Sequence, residues 1–161
     1  MLCAGRAFYG EVTGEIYVND QETRIEDHKD SVGFVPQDDI AYPELTVREN
    51  LIFSGRFRLP RATPEDEIED LADDTFANLG LSWVDNSPVG DVRRRGVSGG
   101  EKKRVNIGVE LMGNPTILFL DEPTSGLDVS SALLVMKSLK HLVEKEGVTV
   151  VSVIHQPQIH L

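Results

Sequence analysis

The segment Val97–Asp128, VSGGEKKRVNIGVELMGNPTILFLDEPTSGLD, decides how the rest of the chain is interpreted. Ser98, Gly99 and Gly100 lead directly into a helical pattern, because apolar residues recur from Val105 to Met112 at spacings of four and three. Two glycines allow a close backbone approach, and the first N–H groups of a helix lack intrahelical partners. The turn therefore predicts an anion site, most naturally for a phosphate. An ordinary loop with a helix cap is the alternative.

A strand with two carboxylates at its end follows this helix. Gly113-Asn114-Pro115 ends the helix, and Thr116–Leu120 is a continuous apolar run, typical of a strand buried on both faces. Asp121 and Glu122 come next, at the carboxyl end where open parallel sheets bind ligands. Acids after a strand are also common in ordinary turns. The prediction of phosphate chemistry therefore depends on both features occurring together.

Composition and charge exclude several classes of protein. The 161 residues carry a formal net charge of −11, which argues against a nucleic-acid partner. Much of the excess lies in Glu65–Asp74, which we expect to be the solvated face of a helix. Cys3 is the single cysteine, so an internal disulfide is excluded and a reducing compartment is favoured. No run approaches the ~20 apolar residues that span a bilayer, so we expect one domain without a transmembrane segment.

Strands and helices alternate before the decisive segment. Gly10–Val18 has the alternation of a strand, and Asn19-Asp20 predicts a turn after it. Ser31–Pro36 is a second strand candidate, and Gln37 follows it. Pro43–Leu59 is predicted to be a helix.

Capping signals support two predicted helices. Thr46 with Glu49 forms a capping box in the first helix, and Thr63-Pro64 predicts the start of a second helix that ends at Gly80. The apolar residues expected to face inward are Val47, Leu51, Ile52 and Phe57 in the first helix, and Ile68, Leu71, Ala72, Phe76 and Leu79 in the second. Asp85–Gly96 is then a polar loop whose three consecutive arginines we expect to be solvated.

A second strand is predicted beside the acidic pair. Ser130–Glu146 is predicted to be a helix and Val148–Ile154 a buried strand, which together imply a parallel crossover. The inward residues expected in this helix are Leu133, Met136, Leu139 and Val143. His155 ends this strand, so we expect it at the same sheet edge as Asp121 and Glu122.

These residues resemble the ATP-binding cassette (ABC) ATPases over essentially all of the chain. SGGE is similar to the family's signature motif, ILFLDE to its Walker B strand and SGLD to its D-loop. Two segments are most similar to subfamily G, the half-transporters. They are RGVSGGEKKRVNIGVELM and the dipeptide Gln156-Pro157 after His155. The resemblance implies an α/β fold with an incomplete P-loop NTPase (RecA-like) core of parallel strands, residues 31–40 and 114–161. It also implies an inserted helical and signature subdomain, residues 41–113.

The resemblance implies ATP and Mg²⁺ as ligands and assigns roles to the acidic edge. Asp121 would hold Mg²⁺ through its water shell, and Gln37 would complete that shell. Glu122 would polarise the attacking water, and His155 would contact the γ-phosphate. Phosphoryl transfer requires this kind of charge neutralisation and water alignment.

The resemblance also implies partners. Ser98, Gly99, Gly100 and Glu101 of one ATPase domain close in trans over ATP held by a second domain, and Asp128 lies at the seam between the two domains. A transmembrane transporter domain is the other expected partner, so the chain is expected at the cytoplasmic face of a membrane, driving export.

One motif of the family is missing. The Walker A loop has the pattern G-x-x-x-x-G-K-[ST], and no glycine in these 161 residues is followed by lysine. We therefore interpret the chain as a partial nucleotide-binding domain that binds ATP weakly or not at all by itself, with an exposed sheet edge prone to aggregation. A catalytically inactive fragment or regulatory module that supplies its signature face in trans is the alternative function. A DNA-repair or chromosome-structure ATPase is disfavoured, because no coiled-coil heptads occur.

Overall fold

The computed structural model describes residues 14–155. A short hairpin comes first and is followed by a short 3₁₀-helical segment, three parallel strands and four α-helices. In chain order these are β1 (Tyr17–Val18), β2 (Gln21–Glu22), the 3₁₀ segment (Ile25–Ser31), β3 (Val32–Val35), α1 (Val47–Arg58), α2 (Glu65–Leu79), α3 (Gly99–Leu111), β4 (Ile117–Asp121), α4 (Val129–His141) and β5 (Thr149–Val153). A π-helical turn, Leu142–Glu146, continues α4.

The main sheet of the described residues has the order β3-β4-β5, and both pairs are parallel. Val35 pairs with Leu120, and Asp121 pairs with Val153, so the carboxyl ends of all three strands meet at one edge. Helix α4 connects β4 to β5, which confirms the predicted parallel crossover. The α/β fold class is therefore confirmed.

Helix α3 lies at the centre of the molecule. It contacts α1, α2 and α4, and it also packs against β3. Its buried residues include Val105 and Ile107, both fully inaccessible to solvent, and they join the same core as Leu118 of β4. The helix thus connects the helical layer to the sheet.

Capping explains where the helices begin and end. Thr46 caps α1 through a capping box in which its hydroxyl accepts from the Glu49 N–H at 3.1 Å and its own N–H donates to the Glu49 carboxylate at 2.7 Å. That box was predicted correctly, but the predicted start at Pro43 was wrong because the helix begins directly after its cap. Helix α2 begins at Glu65, so the predicted cap at Thr63 with Pro64 as the first helical residue was wrong: Pro64 holds the cap position, without a side-chain hydrogen bond. The helix ends at Gly80, as predicted, and the φ of 63° there suits glycine.

The predicted turn and the predicted acidic face are also present. Asn19 and Asp20 have φ values of 52° and 62° between β1 and β2, as a tight hairpin turn requires. The acids of α2 are all exposed. The predicted strand Gly10–Val18 is described only from Gly14, and the Gln156-Pro157 dipeptide also lies outside the described residues.

Two predicted helix faces were partly wrong. Phe57 of α1 is 75% exposed and stacks against Phe53 on the outer surface. In α4, Leu133 and Val143 are 36% and 47% exposed. Leu139 is buried as predicted, and the other buried positions are Ala132, Val135, Ser138 and Leu142. Small residues face inward because α4 packs closely on its neighbours: the Ser138 hydroxyl reaches the Leu79 carbonyl of α2 at 3.4 Å.

The predicted burial of both strands on two faces was wrong. In β4, Leu118 and Leu120 are buried while Ile117 and Phe119 are only half-buried. In β5, Val151 and Val153 are 44% and 53% exposed. Within residues 14–155, helices cover the sheet mainly from one side, so the strands alternate between buried and open positions. No helix in this range combines the length and the apolar character that crossing a membrane requires.

Candidate functional site

The carboxyl edge of the sheet brings three of the predicted site residues together. Gln37 lies two residues after β3, Glu122 directly after β4, and His155 two residues after β5. The Gln37 Nε2 donates a hydrogen bond to Glu122 Oε2 at 3.0 Å. Glu122 and His155 line one cavity of about 360 Å³. The other residues of its wall are Thr124, Ser125, Gly126, Leu127 and Ile154.

The backbone at Glu122 explains how its side chain reaches this cavity. Glu122 has a φ of +48°, which is uncommon for a residue other than glycine and costs on the order of 1 kcal/mol. Its N–H donates to the Val153 carbonyl of β5 at 3.0 Å, and its own carbonyl accepts from the Ser125 N–H at 3.0 Å. These bonds hold the left-handed turn. The strand alternation therefore ends at Asp121, and Glu122 turns into the cavity.

The two adjacent acids consequently occupy different environments. Asp121 is the last residue of β4, is half-buried, and is not part of the cavity wall. Glu122 is half-buried and lines the cavity. Adjacent positions with separate surroundings allow one carboxylate to face a cation while the other faces a water molecule.

The donor atoms at this edge suit Mg²⁺. Asp121, Glu122 and Gln37 offer carboxylate and amide oxygens, which are hard ligands of the type that Mg²⁺ prefers. Within residues 14–155, no group of three histidine, cysteine or acidic side chains is arranged to hold a metal ion. The chemistry of these oxygen donors fits Mg²⁺, which is usually held by one or two carboxylates with waters and substrate phosphates.

The predicted phosphate-binding turn is a capping box at the start of α3. Ser98 is the N-cap: its hydroxyl donates to Glu101 Oε2 at 2.8 Å, and its N–H donates to the same oxygen at 2.7 Å. Glu101 is 6% exposed, and its N–H donates to the Ser98 hydroxyl at 3.4 Å. Gly99 and Gly100 lie inside the first helical turn, not before it as predicted. The capping box does not use the N–H groups of Gly99 and Gly100; Gly99 is exposed, whereas Gly100 is buried.

Gly100 also has a packing role that the sequence did not suggest. A Cβ at this position would lie 2.9 Å from Ser131 Cβ at the start of α4. A Cβ at Gly99 would lie 3.4 Å from Leu127 Cδ2, an ordinary contact. The glycine at position 100 therefore allows α3 and α4 to approach, whereas Gly99 is exposed.

Asp128 is the N-cap of α4. It accepts hydrogen bonds from the N–H groups of Ser130 and Ser131, both at 3.1 Å, and from the Ser130 hydroxyl. The bonds from Ser130 and Ser131 hold the pKa of the Asp128 carboxyl well below its usual range. Asp128 is thus an exposed, strongly acidic helix cap in this chain.

The structure does not bring the turn Ser98–Glu101 into the cavity of Glu122 and His155. The two regions are neighbours through Leu127, which lines the cavity and lies closest to a Cβ built at Gly99. The predicted site residues therefore form two groups. The carboxyl-edge group is Gln37, Asp121, Glu122 and His155, and the helix-start group is Ser98–Glu101 and Asp128, at the starts of α3 and α4.

Sequence reasoning missed the polar residues that hold the Gln37 loop. Asp39, Lys103 and Asn106 join this loop to α3. The available signal was the spacing of Lys103, Asn106 and Glu110, three and four residues apart on a helix that is otherwise largely apolar on its inner side.

The parallel sheet, with an acid, an amide and an imidazole at its carboxyl edge, places the chain in the α/β class. Comparison with known proteins identifies the family within this class. The family model described as ABC transporter matches residues 6–125. The chain therefore belongs to the ABC transporter family.

Relatives of known sequence are G family members and similar transporters. The chain is 47% identical over 149 residues to ABC-type transporter claG of Penicillium crustosum, a match covering 92% of this chain and 20% of that protein. It is also 47% identical over 150 residues to ABC transporter G family member 28 of Arabidopsis thaliana, covering 93% of this chain and 13% of that protein. The chain thus spans about a fifth or less of the length of these two relatives.

Solved structures show the same fold. The chain resembles cbiO1 of Clostridium perfringens, part of the ABC transporter complex cbiONQ, with a TM-score of 0.71 and 28% identity over 89% of this chain and 57% of that one. It also resembles the ATP-binding cassette MJ0796, in a dimeric post-hydrolysis state bound to ADP and Pi, with a TM-score of 0.66 and 30% identity over 89% and 63%.

Proposed function

We propose that this chain is part of the ATP-binding and hydrolysing unit of a G-family-like exporter, at the cytoplasmic face of a membrane. The observation that carries the proposal is the convergence of Gln37, Glu122 and His155 at one edge of the sheet. Two of these residues line one cavity, and the third is hydrogen-bonded to Glu122. Membership of the ABC transporter family supports the choice of ATP as the substrate.

The arrangement suits hydrolysis of a terminal phosphate. A water molecule attacks the γ-phosphorus, the bond to the bridging oxygen of ADP breaks, and the water gives up a proton. Glu122 would orient that water and accept the proton. The hydrogen bond from Gln37, which holds the Glu122 carboxylate, supports this role. His155 donates a ring N–H to an oxygen of the terminal phosphate.

Asp121 and Gln37 are the residues that would hold Mg²⁺. The ion, when bound, neutralises negative charge on the phosphates. Asp121 suits this role because it lies at the strand end outside the cavity wall, so it does not compete with Glu122 for the attacking water.

The helix-start group is proposed to act on ATP held by a second ATPase domain. The N–H groups of Gly99 and Gly100 would bind phosphate oxygens, favoured by the positive end of α3. The Ser98 hydroxyl would join them by exchanging its bond to Glu101 for one to the phosphate. Glu101 orders this turn through the capping box, and Asp128 would lie at the seam between the domains. The separation of this turn from the cavity of Glu122, and the dimeric state of the nucleotide-bound MJ0796 structure, support action in trans.

A transmembrane domain is the other proposed partner. A groove of about 420 Å³ lies beside the Gln37 loop and is lined by Ile40, Tyr42, Phe53 and Phe57. Tyr42, Phe53 and Phe57 are 55%, 41% and 75% exposed. The Phe53 ring meets that of Tyr42 edge-to-face and that of Phe57 at a tilt. An exposed aromatic cluster of this kind suits an apolar docking element.

Complementation tests the proposed function. A complete ABC ATPase domain whose own signature serine has been replaced would be mixed with this chain, and phosphate release measured. We expect the chain to raise the rate, because its Ser98 turn supplies the missing face. The chain carrying Ser98→Arg is the control and should give no increase.

Calorimetry with ATP provides the second measurement. We expect weak or no binding by the 161-residue chain, since no Gly-Lys pair is present. Micromolar affinity would contradict this expectation. Failure of complementation, together with no crosslinking to the second domain, would contradict action in trans. Complementation by a chain that stays inactive even when joined to a P-loop segment would favour the regulatory module instead.

A further inference from the structure

One face of α3 holds the backbone of the Gln37 loop on both sides of that residue. Lys103, Asn106 and Glu110 are three and four residues apart, so they lie on the same side of the helix. Each donates or accepts a hydrogen bond with the backbone of the segment Phe34–Ala41. The helix that begins with the Ser98 turn therefore also holds the loop that carries Gln37.

Asn106 is the central residue of this contact. It is fully buried, and its Oδ1 accepts from the Ile40 N–H at 3.1 Å and from the Ala41 N–H at 3.0 Å. Its Nδ2 donates to Asp39 Oδ1 at 2.7 Å. One side-chain amide thus satisfies two backbone donors and one carboxylate, all within four residues of Gln37.

Flanking contacts support the same loop. The Glu110 carboxylate, 3% exposed, accepts from the Phe34 N–H at 3.0 Å on the strand side. Lys103 donates to the Gln37 carbonyl and forms an ion pair with Asp39 at 3.4 Å. The main chain on both sides of Gln37 is consequently held by α3, although the Gln37 side chain itself is exposed.

We propose that Asn106 is a positioning residue that places Gln37 against Glu122. A side-chain oxygen is required because a buried N–H without a partner is costly, and the amide nitrogen is required beside it because Asp39 accepts from it. Replacing Asn106 by an apolar side chain would leave the Ile40 and Ala41 donors unsatisfied, and the loop would open to water. Gln37 would then leave Glu122. The catalytic meaning of this rests on the proposed function, but the positioning itself does not.

Hydrogen exchange of the 161-residue chain, followed by NMR, tests the contact directly. In Asn106→Leu we expect the Ile40 and Ala41 amides to exchange about tenfold faster or more, the effect of losing buried hydrogen bonds. Val105→Ala is the matched control: it removes buried apolar volume from the same helix but touches no loop donor. Its Ile40 and Ala41 amides should change only as much as the core amides do.

A charge-conserving exchange of side chains provides the rescue. In Asn106→Asp with Asp39→Asn, the carboxylate accepts from Ile40 and Ala41, and the new amide at position 39 donates to it. We expect slow exchange to be largely restored in this double variant. The single variant Asn106→Asp places two carboxylates together. Its Ile40 and Ala41 amides should therefore exchange fast, as in Asn106→Leu. This comparison also keeps the test valid if Asn106→Leu fails to fold.

The side-chain amide signals of Gln37 report the consequence at the edge. Glu122→Gln should shift these signals in the wild-type background, since it changes their acceptor. The shift should fall at least several-fold when Asn106→Leu is also present. Unchanged Gln37 signals in Asn106→Leu, or equal exchange in Asn106→Leu and Val105→Ala, would overturn the proposal. Neither measurement uses ATP, so a failed complementation assay would count against the proposed function alone.

Discussion

Helix α3 and the carboxyl edge of the sheet are held in very different ways. Buried polar residues of α3, Arg104, Asn106 and Glu110, all have hydrogen-bond partners inside the protein. At the edge, no residue of β5 is buried, and His155 is exposed. Glu122 makes a single side-chain hydrogen bond, to Gln37, among the described residues.

This difference separates residues that build the protein from residues that face a ligand. On folding, the buried polar side chains of α3 replace hydrogen bonds to water with hydrogen bonds inside the protein. Removing one of these side chains therefore leaves its buried partner without a hydrogen bond. Side chains at the edge retain access to water, so they can bind a substrate without first breaking many contacts. Substitutions in the two regions should therefore change different measured quantities.

The largest effect is expected from a substitution at the carboxyl edge of the sheet. It should lower the rate of ATP hydrolysis and leave stability unchanged. In a version of the chain joined to the P-loop segment of a G-family relative, Glu122→Gln should lower ATP hydrolysis by about 10²–10⁴-fold, the usual contribution of a general base. The melting temperature should hardly change. Glu144→Gln, on the exposed helix end, is the control. Normal ATP turnover in Glu122→Gln would show that Glu122 has no part in hydrolysis.

Arg104 provides the opposite case, a large change in stability. It is 7% exposed and donates to the carbonyls of Leu79 at 3.0 Å, and of Gly80 and Gly100 at 3.3 Å. Burial lowers the pKa of its guanidinium. Arg104→Met should reduce the free energy of unfolding by about 2–3 kcal/mol, measured in urea, because three carbonyl groups lose a charged donor. The exposed Arg61→Met should cost little; equal effects would show that burial at Arg104 contributes nothing.

The two glycines of the Ser98 turn should differ in their contribution to stability, although they are neighbours in one motif. Gly100→Ala should destabilise the fold by about 2 kcal/mol, since its Cβ meets Ser131 at 2.9 Å. Gly99→Ala should change stability by less than about 0.5 kcal/mol, because its contact at 3.4 Å is ordinary. Chemical denaturation measures both. Similar values would mean that α3 and α4 do not approach as closely as described.

The smallest effect concerns the pH dependence at Asp128. Its folded-state pKa is lowered, so its charged form stabilises the fold. That contribution is present above the unfolded pKa of about 3.9 and is lost as the pH falls through the folded pKa. The melting temperature of wild type should exceed that of Asp128→Asn at neutral pH, and the gap should close only in strong acid. A constant gap from pH 7 to pH 2 would contradict this assignment.

The positions of Glu122 and His155 were predictable because both residues follow predicted parallel strands, whereas Gln37 was singled out only through the resemblance to the ABC ATPases. Gln37, Glu122 and His155 each follow a strand, and parallel pairing places all three strand ends at one edge. The faces of α4 were not predictable from apolar periodicity. Periodicity selects the large residues Leu133 and Val143, whereas close packing on α2 and α3 selects small ones such as Ala132 and Ser138.

The sequence by itself determined the capping box at Thr46, the end of α2 at Gly80 and the end of α3 before Gly113. These depend on hydrogen bonds and conformational preferences within a few residues, which the local sequence contains. Three features were decided only by the tertiary structure. They are the left-handed turn at Glu122, the close approach of α3 to α4 at Gly100, and the hydrogen bonds from the Gln37 loop to Asn106. Each of these joins residues that are distant in the chain, so its energy depends on partners that no local pattern names.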